Sequence, residues 1–517
     1  MIRETYEKIV QGIDVRQNVS LLRKELKEEN GRPAFAYLLS GDFSVLEKLL
    51  ADEDAKTRKN TALLIGDLGD SRLLKALFSA YEKETTLFVR SAYLTAMKEF
   101  DCREYLSVFK KQIKVLEEQL VKDESGKKTE DTLKAVKDKD AVVMSNKKHI
   151  LEELHALSDL VVLMEGIEGH TFTGGDQLSD LVLLTNRNHV NVTAEQLKEL
   201  GIDTYKEFGA GIMLTTDKLP EIARIRTIEE ILFAVKGMKN CPMEPEVAAK
   251  KIVDAGFIDF LEERHGEEAP FYFRIECKSK MPLDKKSVFT RKMADYLEQF
   301  SGRMLINSTS RYEVELRLIE NKEGNFNILV KLGTFKDMRF TYRKEVIATS
   351  IKPVNAALTV ALAKDYIKPE GKVLDPFCGT GTMLIERHKW VPANTSYGID
   401  IYGEAIEKAK VNTEVAHQII HYINRDFFDF KHEYLFDEII TNMPMATAKK
   451  SEKDIYDLYC RFFKKAGDHL VEDGTIIMYT HNLEMVKELS RKNGFRLEKQ
   501  WEISKKEGTY VVVLQVA

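Results

Sequence analysis

The chain has 517 residues, 44% hydrophobic and 31% charged, too long for one ordinary core and suited to two to four globular, helix-rich domains. No apolar run approaches the roughly 18 residues that span a bilayer, and "MIRETYEKIVQGIDV" at the N-terminus lacks the apolar core of a signal peptide. The net charge of −5 exerts no global pull on nucleic acid, so any such binding needs a local basic surface.

Cysteines 102, 241, 277, 378 and 460 lie far apart with no CxxC pair. They argue against a disulfide framework or a zinc knuckle, imply no metal, and fit a reducing cytoplasm.

Residues 1–120 read as helical, with hints of a repeat. "VRQNVSLLRKEL" (Val15 to Leu26) and "TRKNTALLIGDL" (Thr57 to Leu68) share Arg-x-Asn-x-x-Leu-Leu, at Arg16 and Arg58. "VRSAYLTAM", from Val89, is a weaker third copy. The stretch "DAKTRKNTALLIGDLGD" resembles a HEAT-like repeat. Such helix pairs stack because none buries its apolar face alone, and the resemblance implies a concave interaction surface. A plain helical bundle is the alternative.

Residues 121–165 read as a charged linker and a helix. "KDESGKKTEDTLKAVKDKD" (Lys122 to Asp140) is rich in lysine and acid and lacks aromatics, so it predicts a connection or an exposed helix. "HILEELHALSDLVVLMEGI" has helical spacing and places His149 and His155 on a helix surface.

Residues 166–345 change to mixed strand and helix, a small α+β pattern. "SDLVLLTN", "HVNVT" and "GAGIMLTT" predict strands, and "KLPEIARIRTIEEILFAVKG" predicts an amphipathic helix region. "FYFRIECKS", "RYEVELRLIE" and "NFNILVKLG" predict further strands, with a helix over "KKSVFTRKMADYLEQFSG". From Phe271 to Lys344 lysine and arginine outnumber acid. Lys278, Lys280, Lys285, Lys286, Arg291 and Lys292 are the candidates for phosphate contact, against the plainer reading of a solvated helix face.

Residues 346–517 alternate strand and helix. Strands are predicted at "KVLDPF", "SYGIDIY", "HYINRDF", "FDEIITNMP", "GTIIMYTHN", "FRLEKQWEI" and "TYVVVLQV". Five parallel strands followed by an antiparallel hairpin suit a doubly wound, Rossmann-like α/β sheet, whose ligands bind beyond the carboxyl ends of the strands. In "VLDPFCGTGTMLIE", Gly379 and Gly381 let the backbone approach a ligand closely. The third glycine of a dinucleotide loop and the Gly-Lys-Ser/Thr of a P-loop are both absent. Asp375 suits an ammonium better than a phosphate. Asp400, on the second strand end, can accept ribose hydroxyls. Asp426, on the third, can accept an adenine amine beside Phe427 and Phe428. Together these groups spell S-adenosyl-L-methionine (SAM). On the fourth strand end, the Asn-x-Pro turn of Asn442 and Pro444 can accept hydrogen bonds from an exocyclic amine and aim its lone pair at the sulfonium methyl. Cys378 reads as a small apolar residue behind the loop.

"DPFCGTGTMLIE", "GIDIYGEAIEKAKVN", "RDFFDF" and "TNMP" resemble the THUMP-containing family of RNA guanosine-N2 methyltransferases. The resemblance implies a class I SAM-dependent fold, a tRNA or ribosomal RNA substrate, and further cofactor contacts at Pro376, Phe377, Thr382 and Ile401. "RFTYRKE" and "SIKPVNAALTVALA" resemble the family's lead-in segment, which implies that Lys352 and Pro353 flank the methionine end of SAM. More weakly, residues 166–345 resemble a ferredoxin-like linker domain and a divergent THUMP module. The family usually carries Tyr or Phe where this chain has Met445, the residue on which a flipped base stacks; a methionine supplies no π face. Two other readings stand beside the RNA enzyme. One is a SAM-binding adaptor that has retired from catalysis and binds a protein partner through its helical repeats. The other is a methyltransferase acting on DNA or on a protein amide.

Overall fold

Two compact units divide the chain: Met1–Gly169 with Ser308–Arg311, and His170–Asn307 with Tyr312–Ala517. The computed structural model describes residues 2–28, 30–125, 137–165, 169–266, 268–447 and 450–517. No helix among them is long and apolar enough to cross a membrane.

The first unit is helical, from Ile2–Val10 to the long helix Lys137–Glu165. Its core takes one face of each helix: Val19 and Leu22 from Val15–Glu25, and Ala62, Leu64 and Ile65 from Ala55–Leu68. Asp54 caps the latter helix by accepting from the amides of Lys56 and Thr57. Gly66 lets the helix Leu87–Met97 approach, since a Cβ there would lie 2.9 Å from Ala96 Cα. The two arginines of the repeated motif do different things. Arg58 forks onto Glu84 with two bonds of 2.8 Å, whereas Arg16 is exposed. Of the charged stretch Lys122 to Asp140, residues 126–136 lie outside the described residues, and helices flank them. His149 is half-buried and meets Glu152 at 2.9 Å.

The second unit holds two sheets. The first contains β1 (Ser179–Thr185), β2 (Lys206–Phe208), β3 (Gly211–Thr216), β4 (Ile228–Ala234), β5 (Phe271–Lys278), β6 (Leu305–Asn307), β7 (Val314–Glu320) and β8 (Phe326–Leu332), in the order β2-β3-β1-β4-β8-β7-β5-β6. An antiparallel pairing of β4 with β8, at Phe233 and Val330, joins its two halves. Two predicted elements differ. "HVNVT" is not a strand: Val190–Glu199 is a helix, and Gln196 donates back to the Val192 carbonyl at 2.9 Å. Five alternating residues fit either period, and the helix-forming run that follows, Ala194 to Glu199, decides it. In "KLPEIARIRTIEEILFAVKG" only Leu219–Ile222 is helical, and Ile228–Ala234 is β4. Pairing with β1 on one side and β8 on the other overrides the helical spacing there.

The second sheet contains β9 (Lys372–Asp375), β10 (Thr395–Asp400), β11 (His421–Asn424), β12 (Phe436–Asn442), β13 (Leu470–Thr480), β14 (Phe495–Ser504) and β15 (Thr509–Val516), in the order β11-β10-β9-β12-β13-β15-β14. The first five strands are parallel, and the antiparallel β14–β15 hairpin closes the edge. The chain order reverses at β9, whose neighbours are β10 and β12, so the crevice lies beyond its carboxyl end.

Specific bonds hold the first sheet to this domain. Arg226, just before β4, forks onto Glu386 with bonds of 2.6 and 2.7 Å. Tyr342 donates to the same carboxylate at 2.6 Å. Asn186 and Asn188 donate to the carbonyls of Ile503 and Glu502, each at 3.0 Å.

Candidate functional site

Asp375, Asp400 and Asn442 end β9, β10 and β12, and Asp426 follows β11 by two residues. Because these strands are parallel and adjacent, all four side chains gather on one edge of the sheet.

The loop after β9 turns sharply. Gly379 has φ +52° and Gly381 has φ +79°. A Cβ on Gly379 would meet nothing within 4 Å, which leaves the loop's outer edge open. A Cβ on Gly381 would lie 2.2 Å from Tyr422 Oη, so glycine is required behind the loop. The Gly379 amide donates to Asp400 Oδ2, and the Tyr402 amide to Asp400 Oδ1, each at 2.9 Å. Thr380 is held by Ser350, at 3.1 Å between hydroxyls, and by Asn412, which donates to its carbonyl at 3.1 Å. Asn412 also donates to the Glu345 carbonyl, at 2.9 Å, and so straps the lead-in segment to the loop. Sequence reasoning did not single out Asn412, although it ends the quoted "EKAKVN".

Asp375 is buried and accepts from the Phe377 amide at 3.1 Å. Loss of solvent pushes its carboxyl up to about 7; the Thr441 hydroxyl and the Phe377 amide oppose the shift, and Asp400 adds to it. A carboxyl held this way gains from a cation placed beside it. Cys378 is buried, and burial drives its thiol well above the ordinary range, so it is no nucleophile at neutral pH.

Of the remaining cofactor candidates, Pro376 is buried and Phe377 half-buried. Thr382 opens the helix Thr382–Trp390, and its buried hydroxyl has no hydrogen-bond partner. Ile401 is 60% exposed, an apolar surface left open beside Asp400. Lys352 is exposed and precedes the helix that Pro353 opens. Phe427 is sunk in the core against Phe377 and Phe462. The ring near the surface is Phe428, with the Arg461 guanidinium 3.7 Å from its centroid. Asp426 accepts from the Phe428 amide at 3.0 Å and lies 3.7 Å from Arg461. An open glycine edge, an orphaned threonine hydroxyl and a buried carboxyl that favours a cation fit an amino-acid ligand whose nucleoside lies along Asp400 and Ile401.

At the end of β12 the Asn442 side chain is half-buried and has no hydrogen-bond partner among the described residues. The turn behind it is braced. The Met443 amide donates to the Tyr479 carbonyl at 2.9 Å, and Tyr459 Oη donates to the Pro444 carbonyl at 3.4 Å. Met445, after the turn, is 43% exposed.

The basic candidates lie elsewhere in the unit. Lys278 pairs with Glu276, and Lys280 is exposed. Lys285, Arg291 and Lys292 are exposed on the helix Leu283–Phe300, whose Phe289, Met293 and Leu297 are buried. Lys286 is half-buried and stands apart from them.

Comparison with known proteins gives the domain its kind. Residues 341–507 match the family model described as RMKL-like, methyltransferase domain. A ribosomal protein L11 methyltransferase of Dictyoglomus turgidum is 27% identical over 158 residues, 31% of this chain and 48% of its own length. A tRNA (guanine(10)-N2)-dimethyltransferase of Pyrococcus abyssi is 29% identical over 138 residues, 26% of this chain and 41% of its own. The chain thus spans less than half the length of these curated relatives. TrmN from Thermus thermophilus shares the fold with a TM-score of 0.50 at 19% identity, over 65% of this chain and 99% of that one. SMU.472, solved complexed with SAH, does so with a TM-score of 0.50 at 15% identity, over 65% and 97%. The C-terminal domain is a class I methyltransferase domain, and its cofactor is SAM.

Proposed function

We propose that this chain methylates RNA, transferring the methyl of SAM to an exocyclic base amine, with the N2 of a guanosine in tRNA or ribosomal RNA as the target. The observation that carries the reading is the Asn442 side chain, unpartnered among the described residues, on a braced Asn-Met-Pro turn one strand from the glycine loop. A dimethyltransferase of tRNA guanine N2 among the relatives supports the same substrate.

When bound, SAM supplies an electrophilic methyl. The rest is positioning by this chain. The Asn442 Oδ1 accepts one N–H of the amine, and a main-chain carbonyl of the turn accepts the other. Two acceptors pull the amine out of conjugation with the base and present its lone pair. Tyr459, bonded to Thr480 at 2.9 Å, keeps the turn from yielding. On this reading residues 166–345 are the ferredoxin-like and THUMP-like part that grips folded RNA by shape and phosphate. Residues 1–120 are HEAT-like and contact the RNA or a protein partner, and the protein works in the cytoplasm.

Met445 favours a second reading, an adaptor that binds SAM and RNA without transfer, because the exposed methionine offers a base no aromatic face. Transfer from labelled SAM to total RNA from cells lacking this protein, followed by nucleoside digestion, separates the two. N2-methylguanosine supports the enzyme, and no labelled nucleoside from any RNA supports the adaptor.

A further inference from the structure

The helical unit carries a groove that methyl transfer does not use. It has a volume of about 590 Å³ and runs between the helices Val15–Glu25 and Ala55–Leu68. Arg16 and Lys24 line it from the first helix, Lys56, Lys59 and Asn60 from the second, and Phe88 completes it. No carboxylate lines it.

The sequence places these residues by helical spacing. Arg16 and Lys24 stand eight residues apart, two turns along one face of their helix, and Lys56, Lys59 and Asn60 stand three and four apart on theirs. Leu22 and Ile65, on the opposite faces, are in the core. The groove is therefore built by two basic stripes that face each other.

Their cations differ from three arginines of the unit that are committed to carboxylates. Arg23 is bonded to Asp67 at 2.7 Å, Arg58 to Glu84 at 2.8 Å and Arg90 to Glu153 at 2.8 Å. Among the described residues Arg16, Lys24, Lys56 and Lys59 form no ion pair. Asp54 feels the charge of Arg16, but it is committed to the helix end, accepting from the Lys56 and Thr57 amides and the Thr57 hydroxyl. Four like charges with no ion-paired carboxylate repel one another, and an external polyanion relieves that repulsion.

We infer that this groove binds the phosphodiester backbone of RNA. The open, four-cation lining suits successive phosphates rather than one small anion. Phe88 and Asn60 separate RNA from an acidic protein segment. Phe88 is a half-buried ring with Lys59 Nζ 6.0 Å from its centroid, a place for a base to stack, and Asn60 offers an amide to a base edge or a 2′-hydroxyl. The inference rests on the RNA reading above and adds a second grip, on a unit outside the methyltransferase domain.

The test is fluorescence anisotropy of labelled total tRNA with the full chain across a salt series. The variant carries Arg16→Gln, Lys24→Gln, Lys56→Gln and Lys59→Gln. Expected is an affinity at least about tenfold weaker and a shallower dependence of log affinity on log salt, by about 3 to 3.5 for four lost phosphate contacts, since each removes about 0.7 to 0.9 from the slope. SAM affinity and helical circular dichroism stay at wild-type values. Should the quadruple variant unfold, Lys24→Gln and Lys56→Gln singly, at exposed positions, are each expected to weaken binding about two- to fourfold. A folded variant that binds as the wild type does at every salt overturns the groove and leaves the substrate reading standing. A wild type that binds no RNA even at low salt overturns both. A duplex DNA or a polyglutamate of equal charge that displaces the tRNA as well as unlabelled tRNA does overturns the assignment to RNA.

Discussion

The Gly379 amide donates to Asp400 Oδ2 at 2.9 Å, and this bond ties the glycine loop of the first strand to the end of the second. Asp400 therefore shapes the glycine loop before any ligand arrives. Each carboxylate oxygen keeps a free lone pair, so both can still accept ribose hydroxyls. Asp400→Ala loses the loop bond and the ribose bonds together, and hydrogen bonds to a charged group contribute about 1.5–3 kcal/mol each. Calorimetry should show SAM affinity at least about tenfold lower, and the melting temperature should fall as well, since the Gly379 and Tyr402 amides lose their acceptor. An unaltered affinity rules out the ribose role.

If the proposed ammonium site is at Asp375, SAM binding should depend on pH. Its carboxyl, pushed up to about 7, is protonated in the free protein over a range where an exposed aspartate is ionised. The unfolded chain binds fewer protons there, so the contribution of Asp375 to stability falls as pH rises from about 4 to about 7 and is flat above. Binding has the opposite sign. An ammonium prefers the ionised form, so SAM affinity rises with pH up to about 7, by up to about tenfold per unit below it. Asp375→Asn should bind SAM more weakly and without that rise. A flat profile in the wild type places the ammonium elsewhere.

The strand ends were legible because each carries its own local mark: apolar alternation, then an acid or an Asn-x-Pro turn. What lay across the fold was not. Arg226 and Glu386 stand 160 residues apart, and nothing local to either announces the other. Phe427 and Phe428 are adjacent, and only the packing of Phe377 and Phe462 around the first decides which ring is buried. Arg16 and Arg58 share a motif, yet Glu84 claims one and leaves the other for the groove.

The Arg226–Glu386 fork should matter for stability. Glu386 is buried, and Tyr342 is its other partner. Arg226→Ala leaves a buried carboxylate without its cation, which costs about 3–5 kcal/mol in comparable pairs. Denaturant melts should show a loss of that size, and adding Glu386→Gln should restore part of it. A double variant as unstable as the single one shows that the packing of Arg226, not its charge, is what counts.

RNA affinity should also depend on the helix Leu283–Phe300. Lys285, Arg291 and Lys292 share its exposed face, while Lys286 is half-buried apart from them. Reversing the three exposed cations to Glu should weaken RNA binding at least about tenfold and flatten its salt dependence, with SAM binding intact. Lys286→Gln should do much less. Equal effects from all four positions mean only a general loss of charge, and no effect from any means that the RNA is held elsewhere.

The turn after β12 separates enzyme from adaptor. If the domain transfers methyl groups, Asn442 holds the target amine, and no neighbouring side chain on the turn can replace it, since Met443 is buried and Pro444 has no side-chain acceptor. Asn442→Ala should remove nearly all transfer, at least about a hundredfold, while SAM and RNA still bind, because only alignment in the transition state is lost. Met445 is exposed after the turn, so Met445→Tyr should keep activity or raise it, a stacked base gaining about 1–3 kcal/mol. Neither change should shift the melting temperature by much, because neither side chain is buried. An adaptor behaves otherwise: the wild type transfers nothing, and Asn442→Ala is silent. A wild type that methylates RNA and is indifferent to Asn442→Ala contradicts both readings and moves the amine acceptor to another strand end.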